Sequence, residues 1–305
     1  MADLSLLILC VFWGTTFTLV KGALEVSSTG VFLAARFATA AAVLGAVALW
    51  RRDPVGPGFW RHGLLLGLAM LGGFVFQTLG LAYTTPARSG FITGLSVLVV
   101  PFIARYTLGR RVRASAWAGV ALAVVGMALL TRPFDGGAVS ASVRLGDLLT
   151  AACALAYALQ ITWMSEWSGK HPLVPFTLLQ VSVVLAGALL MVPVEGARFD
   201  AARWPQFAGV VAFTGVAMTA GAFFVMNWAQ RHTTAVRAAL IYSLEPVAAA
   251  LFSWWAIGEQ LGAGGWTGGG LVVLGVVAGE VGGAIEARAE ARAAAGPVTG
   301  GPPAA

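Results

Sequence analysis

A chain of 305 residues that is 58% hydrophobic and only 10% charged, with a mean hydropathy of +0.83, cannot fold as an ordinary water-soluble domain. Its formal net charge of +6 does not point to nucleic acid, because the basic residues gather in short connections between apolar runs, where they orient a membrane protein. A hydrocarbon core about 30 Å thick takes about 20 apolar residues per helix. Ten such runs follow in chain order: 4–22, 30–50, 61–82, 86–107, 114–131, 145–166, 173–194, 204–230, 233–257 and 263–282. They are long and lack period-two alternation, so they are helices and not barrel strands, and a helix satisfies its own backbone donors in lipid. The expected fold is an all-α integral membrane protein with no separate soluble domain.

The first run, opening MADLSLLILC, has no basic leader and continues into a full span, so it is expected to be a membrane helix and not a cleaved signal. It offers Trp13 and Thr16 at mid-depth and closes on Lys21. Arg36, about six residues into the second run, is close enough to the outer end to snorkel. The third run carries Gln77. The fourth opens at Arg88, presents Ser89, Thr93 and Ser96 at i, i+4, i+7 on one face, and contains Pro101. The sixth offers Tyr157, Gln160 and Trp163, the eighth Asn227, and the ninth Arg237, Tyr242, Glu245 and Pro246. Hydroxyls and amides can replace a solute's hydration while aromatic rings supply a flat apolar wall, so Trp13, Thr16, Gln77, Thr93, Ser96, Tyr157, Gln160, Trp163, Asn227, Tyr242 and Glu245 are the candidate solute-binding residues, with Ser89 expected to be structural. Each also has a structural reading. Ser and Thr in membrane helices often bond their own backbone, Trp163 sits where an interfacial belt would, and Gln77 and Asn227, one residue out of register, could simply link helices. Glu245 is the sharpest signal, since a carboxylate mid-helix costs at least about 2.5 kcal/mol unless it faces a cavity, a cation or a proton. Arg88 and Arg237 fit either gates or helix-start anchors, and Pro101 and Pro246 either hinges or fixed kinks.

Cys10 and Cys153 lie in helices that start at opposite faces and are not expected to pair. The glycines between Gly262 and Gly283, many at i, i+4, suit internal packing and dimerisation equally, so both a monomer and a homodimer are open. With the N-terminus inside, basic residues divide twelve to six in favour of that side, placing both termini in the cytoplasm. Residues 286–305 turn charged and then Gly/Pro-rich, as an exposed helix end followed by a disordered tail would.

The runs are also duplicated. YTTPARSGFI meets HTTAVRAALI at an offset of 149, putting Thr84 on Thr233, Thr85 on Thr234, Arg88 on Arg237 and Ile92 on Ile241. The register holds through Gly119/Gly268 and Gly126/Gly275. Nearer the start the offset is 144, with Asp3 on Asp147, Trp13 on Tyr157, Thr16 on Gln160 and Phe32 on Phe176, which implies a lengthened loop between the unit's second and third helices. The unit therefore holds five helices, residues 1–138 and 139–285, and an odd number inverts the second copy across the membrane. Arg88 and Arg237 then stand at opposite mouths.

FWGTTFTLVKGAL, FLAARF, GLAYTTPARSGFITGLSVLVVP and IYSLEPVAAALFSWWAIGEQLGAGGWTGGGLVVLGV, in that order and duplicated, resemble the EamA branch of the drug/metabolite transporter superfamily over residues 4–282. The resemblance implies a ten-helix secondary transporter of the inner (plasma) membrane, exporting amino acids or related small metabolites as its solute, with the lipid bilayer as its surroundings. One departure is GRR at Gly109–Arg111 where the second copy has GEQ, which leaves Glu259 with little mechanistic weight. Alternating access would rock one repeat against the other. No ATP-binding motif is present, and no catalytic, metal or cofactor group is expected; the three histidines lie near loops without an HExxH or GxSxG pattern, so an integral-membrane enzyme is the poorer reading. A broad drug exporter or sugar-type carrier is the alternative within transport, although several cavity cations would be needed for phosphorylated sugars.

Overall fold

The computed structural model describes residues 1–84, 86–131, 140–257 and 262–294. Thr85, Glu259 and the tail beyond Ala294 lie outside them. The described chain is helical nearly throughout: α1 (Ala2–Val26), α2 (Thr29–Arg51), α3 (Phe59–Tyr83), α4 (Pro86–Gly94), α5 (Ser96–Leu108), α6 (Ala114–Thr131), α7 (Ala141–Trp167), α8 (Leu173–Glu195), α9 (Trp204–Ala212), α10 (Ala222–Gln230), α11 (Ala235–Tyr242), α12 (Glu245–Ile257) and α13 (Ala263–Ala294). Eight helices among the described residues are long and apolar enough to cross a bilayer. α1, bent by 43° between Ala2–Gly14 and Leu19–Val26, makes nine, and α6 is apolar over Ala114–Leu130 but shorter. The protein is thus an all-α, multi-pass membrane protein, with eight of the ten expected spans met among the described residues and nine if the bent α1 is one span.

Helix ends are closed by polar groups that lipid cannot supply. Glu195, finishing α8, accepts from the backbone N–H of Thr29 at 3.0 Å and of Gly30 at 2.7 Å, capping α2. Thr234 caps α11 through Arg237 N–H at 3.3 Å. Gly109, at φ +62°, ends α5 in the left-handed conformation that a glycine adopts without strain.

Two expectations are corrected here. Connection 196–203 is barely longer than 52–58, so little of the change in offset is a loop. Instead, the copy of α3 consists of α9, a stretch of π-helix at Phe213–Gly221 and α10, nine residues each, against 25 in α3. Wide π turns absorb inserted residues while the helix still spans. The prolines also do not mark the breaks. The fourth and ninth spans are interrupted at Leu95 and at Ser243–Leu244, and Leu244 is the repeat position of Leu95. Both breaks tighten into i→i+3 bonds, Leu98 N–H to Leu95 O at 2.9 Å and Leu244 N–H to Ile241 O at 3.0 Å. Pro101 sits inside α5, well past its break. Pro246 stands in the first turn of α12, where a missing N–H costs little.

The densest packing joins the halves: α6 with α13, α3 with α7, and α2 with α8. In the α6–α13 contact a Cβ on Gly119 would lie 2.5 Å from Gly275 O, and one on Gly126 would lie 2.6 Å from Gly268 O. Gly119 is the repeat mate of Gly268, and Gly126 of Gly275, so mates meet crosswise, as two antiparallel copies about a two-fold axis do. The glycine spacing is therefore used inside the molecule. We call the end where α1 begins and α13 finishes proximal, and the other end distal.

Candidate solute-binding cavity

Midway along the bundle a cavity of about 100 Å³ is lined by side chains at helical spacing from both halves. α1 contributes Trp13, Thr16 and Val20; α3 contributes Phe74, Gln77, Thr78 and Leu81; α7 contributes Tyr157, Gln160 and Ile161. Gly90, Thr93 and Gly94 of α4, Ser96 of α5, Phe223 and Met226 of α10, Tyr242, Glu245 and Pro246 complete it with Arg36. The cavity brings together Trp13, Thr16, Gln77, Thr93, Ser96, Tyr157, Gln160, Tyr242, Glu245 and Pro246 from the sequence candidates.

The wall is aromatic and its polar groups are linked. Trp13 lies 5.9 Å from the rings of both Phe223 and Tyr242, and Phe74 meets Tyr157 edge-on at 6.0 Å. Tyr157 Oη donates to Gln77 Oε1 at 3.4 Å, and Gln77 Nε2 to Thr93 Oγ1 at 3.4 Å, a chain across three helices. Gly73 makes room for this arrangement, since a Cβ there would fall 2.3 Å from the Tyr157 ring. Thr16 spends its hydroxyl proton on Trp13 O at 2.8 Å. Gln160 Nε2 is buried without a hydrogen-bond partner among the described residues. Tyr242 Oη accepts from Gln230 at 3.0 Å. Glu245 accepts no hydrogen bond and makes no ion pair among the described residues. Its α12 is held close to α1 by Gly14, whose Cβ would lie 2.7 Å from Ala249 N and 2.9 Å from Glu245 O.

The π stretch adds groups that no local pattern announced. Met218 O accepts from Trp13 Nε1 at 3.4 Å and from Arg36 Nη2 at 3.5 Å, while Thr219 Oγ1 accepts from Arg36 Nε at 2.8 Å. Arg36, expected to snorkel, instead lies 5% exposed with its guanidinium 4.9 Å over the Phe74 ring. Phe74, Thr78, Phe223 and Met226 were likewise passed over, although 74, 77, 78 and 81 mark one face of α3.

Two candidates stand elsewhere. Trp163 stacks on Trp167 at 5.5 Å, and Trp167 on His62 at 4.4 Å, towards the proximal end. Asn227 is fully buried, donating to Phe223 O at 3.0 Å and accepting from Gln180 at 3.3 Å. One residue out of register turns a side chain by about 100°. Met226, at the repeat position of Gln77, therefore lines the cavity, while Asn227 turns to α8.

Towards the two ends of the bundle, Arg88 and Arg237 each hold an aspartate of the opposite half. At the distal end Arg88 makes a bidentate pair with Asp147, Nε to Oδ1 at 3.2 Å, and Thr84 Oγ1 donates to the same oxygen at 3.0 Å. At the proximal end Arg237 Nη2 donates to Asp3 Oδ2 at 2.9 Å while its Nε holds Glu280 at 2.9 Å. Asp3 and Asp147 are themselves repeat mates, so the pairs are exchanged across the two-fold axis as the glycines are. The distal pair is drier, with 15% and 20% exposure against 45% and 44% for Arg237 and Asp3. Arg237 also borders a vestibule of about 760 Å³ at the proximal end, with Arg110, Arg111, Arg113, Glu166 and Glu280.

Comparison with known proteins agrees with this architecture. The chain matches the EamA-like transporter family in two segments, residues 1–132 and 144–278. An uncharacterized transporter of Archaeoglobus fulgidus (strain ATCC 49558 / DSM 4304 / JCM 9628 / NBRC 100126 / VC-16) is 31% identical over 281 residues, covering 90% of this chain and 84% of its own. The uncharacterized transporter YyaM of Bacillus subtilis (strain 168) is 25% identical over 277 residues, 88% and 89% of the two chains. A solved crystal structure, 18% identical, superposes with a TM-score of 0.76 over 92% of this chain and 98% of its own, and shares the fold. The chain belongs to the EamA-like transporter family and is a membrane transporter.

Proposed function

We propose that this protein is a secondary transporter of the inner (plasma) membrane, its termini cytoplasmic, which exports amino acids or related small metabolites by alternating access. The observation that carries this reading is the layout of one polar-and-aromatic cavity between two mouths, each closed by an arginine of one half and an aspartate of the other. Opening one mouth at a time requires two exchangeable closures, and these pairs supply them. Because dense packing joins the halves, we assign the motion to the interrupted helices α4–α5 and α11–α12, which carry Arg88 and Arg237 at their starts and meet the cavity at their breaks. This replaces the rocking of one whole repeat against the other, and places the hinges at Leu95 and Ser243–Leu244, with Pro246 beside the second. Glu245, on the cavity side of that break, is the candidate for a coupling proton or a solute ammonium.

A broad exporter of aromatic cations is the second reading, favoured by the rings of Trp13, Phe74, Tyr157 and Phe223 around one carboxylate. Counterflow in proteoliposomes with labelled amino acids, polyamines, sugars and aromatic cations separates the two. Exchange of an amino acid supports the first reading, exchange of aromatic cations alone the second. No exchange of any class by folded protein overturns transport through this cavity.

A further inference from the structure

The cavity lining holds one cation among its described residues, Arg36, and no carboxylate among them, Glu245 included, pairs with it. Arg36 is 5% exposed and makes no ion pair among the described residues. Nε is spent on Thr219 Oγ1 at 2.8 Å, and Nη2 reaches Met218 O only at 3.5 Å. Nη1 donates to no group among the described residues. The Phe74 ring at 4.9 Å orients the guanidinium plane without neutralising it. A buried, uncompensated charge is costly at membrane depth and persists where a cavity or a ligand compensates it. A guanidinium presents N–H groups in a planar fork whose geometry matches a carboxylate.

We propose that Arg36 anchors the transported solute and that the solute presents a carboxylate to it. The proposal rests on the transporter reading and names the head group that the cavity takes. With Glu245 in the same lining, the charges of the described lining residues balance, which suits a carboxylate carried with its own ammonium and leaves no excess cation for a phosphate dianion. The π stretch gives the site its shape. It offers Met218 O and Thr219 Oγ1 to α2, and Gly215 lets α2 approach, since a Cβ there would lie 2.8 Å from Arg36 O.

The test uses the purified full chain and matched pairs: amino acids with small, branched and aromatic side chains, each beside its own carboxamide, which keeps the ammonium and loses the carboxylate. Ligand-induced thermal shift and counterflow should favour the acid over the amide by about tenfold or more, the usual scale of a charge-assisted hydrogen-bond pair. Arg36→Gln should bring that ratio near one. Arg36→Lys, which keeps charge but loses the fork, should lower it several-fold and decides the matter if Arg36→Gln does not fold. An unchanged ratio in both Arg36 variants, amides binding as well as acids in the wild type, or no binding by any acid overturns the proposal. Exchange of an amine, sugar or aromatic cation that Arg36→Gln leaves intact would overturn it alone and leave the transporter reading standing.

Discussion

Glu245 opens α12 with its carboxylate on the central cavity, no donor among the described residues, and Pro246 behind it. A group so placed titrates against the cavity's contents instead of a fixed partner. Glu245→Gln should therefore slow proton-linked counterflow and flatten its pH dependence while leaving the thermal midpoint in detergent unchanged. Unaltered exchange with the wild-type pH profile would remove Glu245 from coupling. His171 carries a different pH effect, outside the spans. Burial, then His62, Lys170 and Arg231, hold its imidazole below the ordinary value of 6.5, and its Nε2 lies 2.8 Å from His62 Nδ1. An unfolded chain takes up that proton first, so stability from this group is full above about pH 6.5 and falls as pH drops below it. Thermal midpoints measured from pH about 7.5 to about 5.5 should decline, and less steeply in His171→Asn. Single residues were unevenly legible. Glu245 and Gln77 stood out because lipid rejects them. Arg36 did not, because distance from a helix end measures reach to water and says nothing about acceptors that π turns in another helix present to it.

Among the elements, the α6–α13 contact depends on glycine at a few points and not along the whole run. A Cβ on Gly268 would meet Leu130 N at 2.4 Å and Gly126 O at 2.6 Å, whereas Gly270 faces open space. Backbone cannot give way as a flexible side chain can, so Gly268→Ala should cost about 1–3 kcal/mol, and Gly270→Ala should cost little or gain from helix propensity. Thermal unfolding of both variants checks the contrast; equal loss in the two would mean the spacing acts through the helix itself. Helix existence and order were legible here because apolar runs and short polar links leave few alternatives. The π stretch was not, since its only sign was a drift in repeat offset that a longer loop would also produce. The breaks at Leu95 and Ser243–Leu244 were obscured by the prolines of the same spans, whose effect depends on which turn of a helix they occupy.

For the whole molecule, the exchanged pairs predict an asymmetric response. The Arg88–Asp147 pair is the drier one and Thr84 adds a bond to it, while Arg237 shares its charge between Asp3 and Glu280 in a wide vestibule. Removing one partner of a desolvated pair strands the other, and exposed pairs contribute little. Asp147→Asn should therefore raise labelling of a cysteine placed at Gly90 from the distal side and slow counterflow, with Asp3→Asn having a smaller effect. A larger effect from Asp3→Asn would reverse the assignment of the tighter mouth. That the chain holds two related segments was readable from its duplication, and the resemblance already named the family; that the segments interlock was not, because internal similarity records which residues correspond and not which ones touch.

The crosswise glycine contact also sets a timetable for biosynthesis. Helix α6 leaves the ribosome when half the chain is made, yet the groove beside Gly119 and Gly126 is filled only by α13, the last helix described. Until then α6 carries a flat, side-chain-poor stripe through the bilayer with lipid or the insertion machinery against it. Assembly of this half therefore waits for α13, and a nascent chain arrested before α13 holds an unclosed partner site in the membrane.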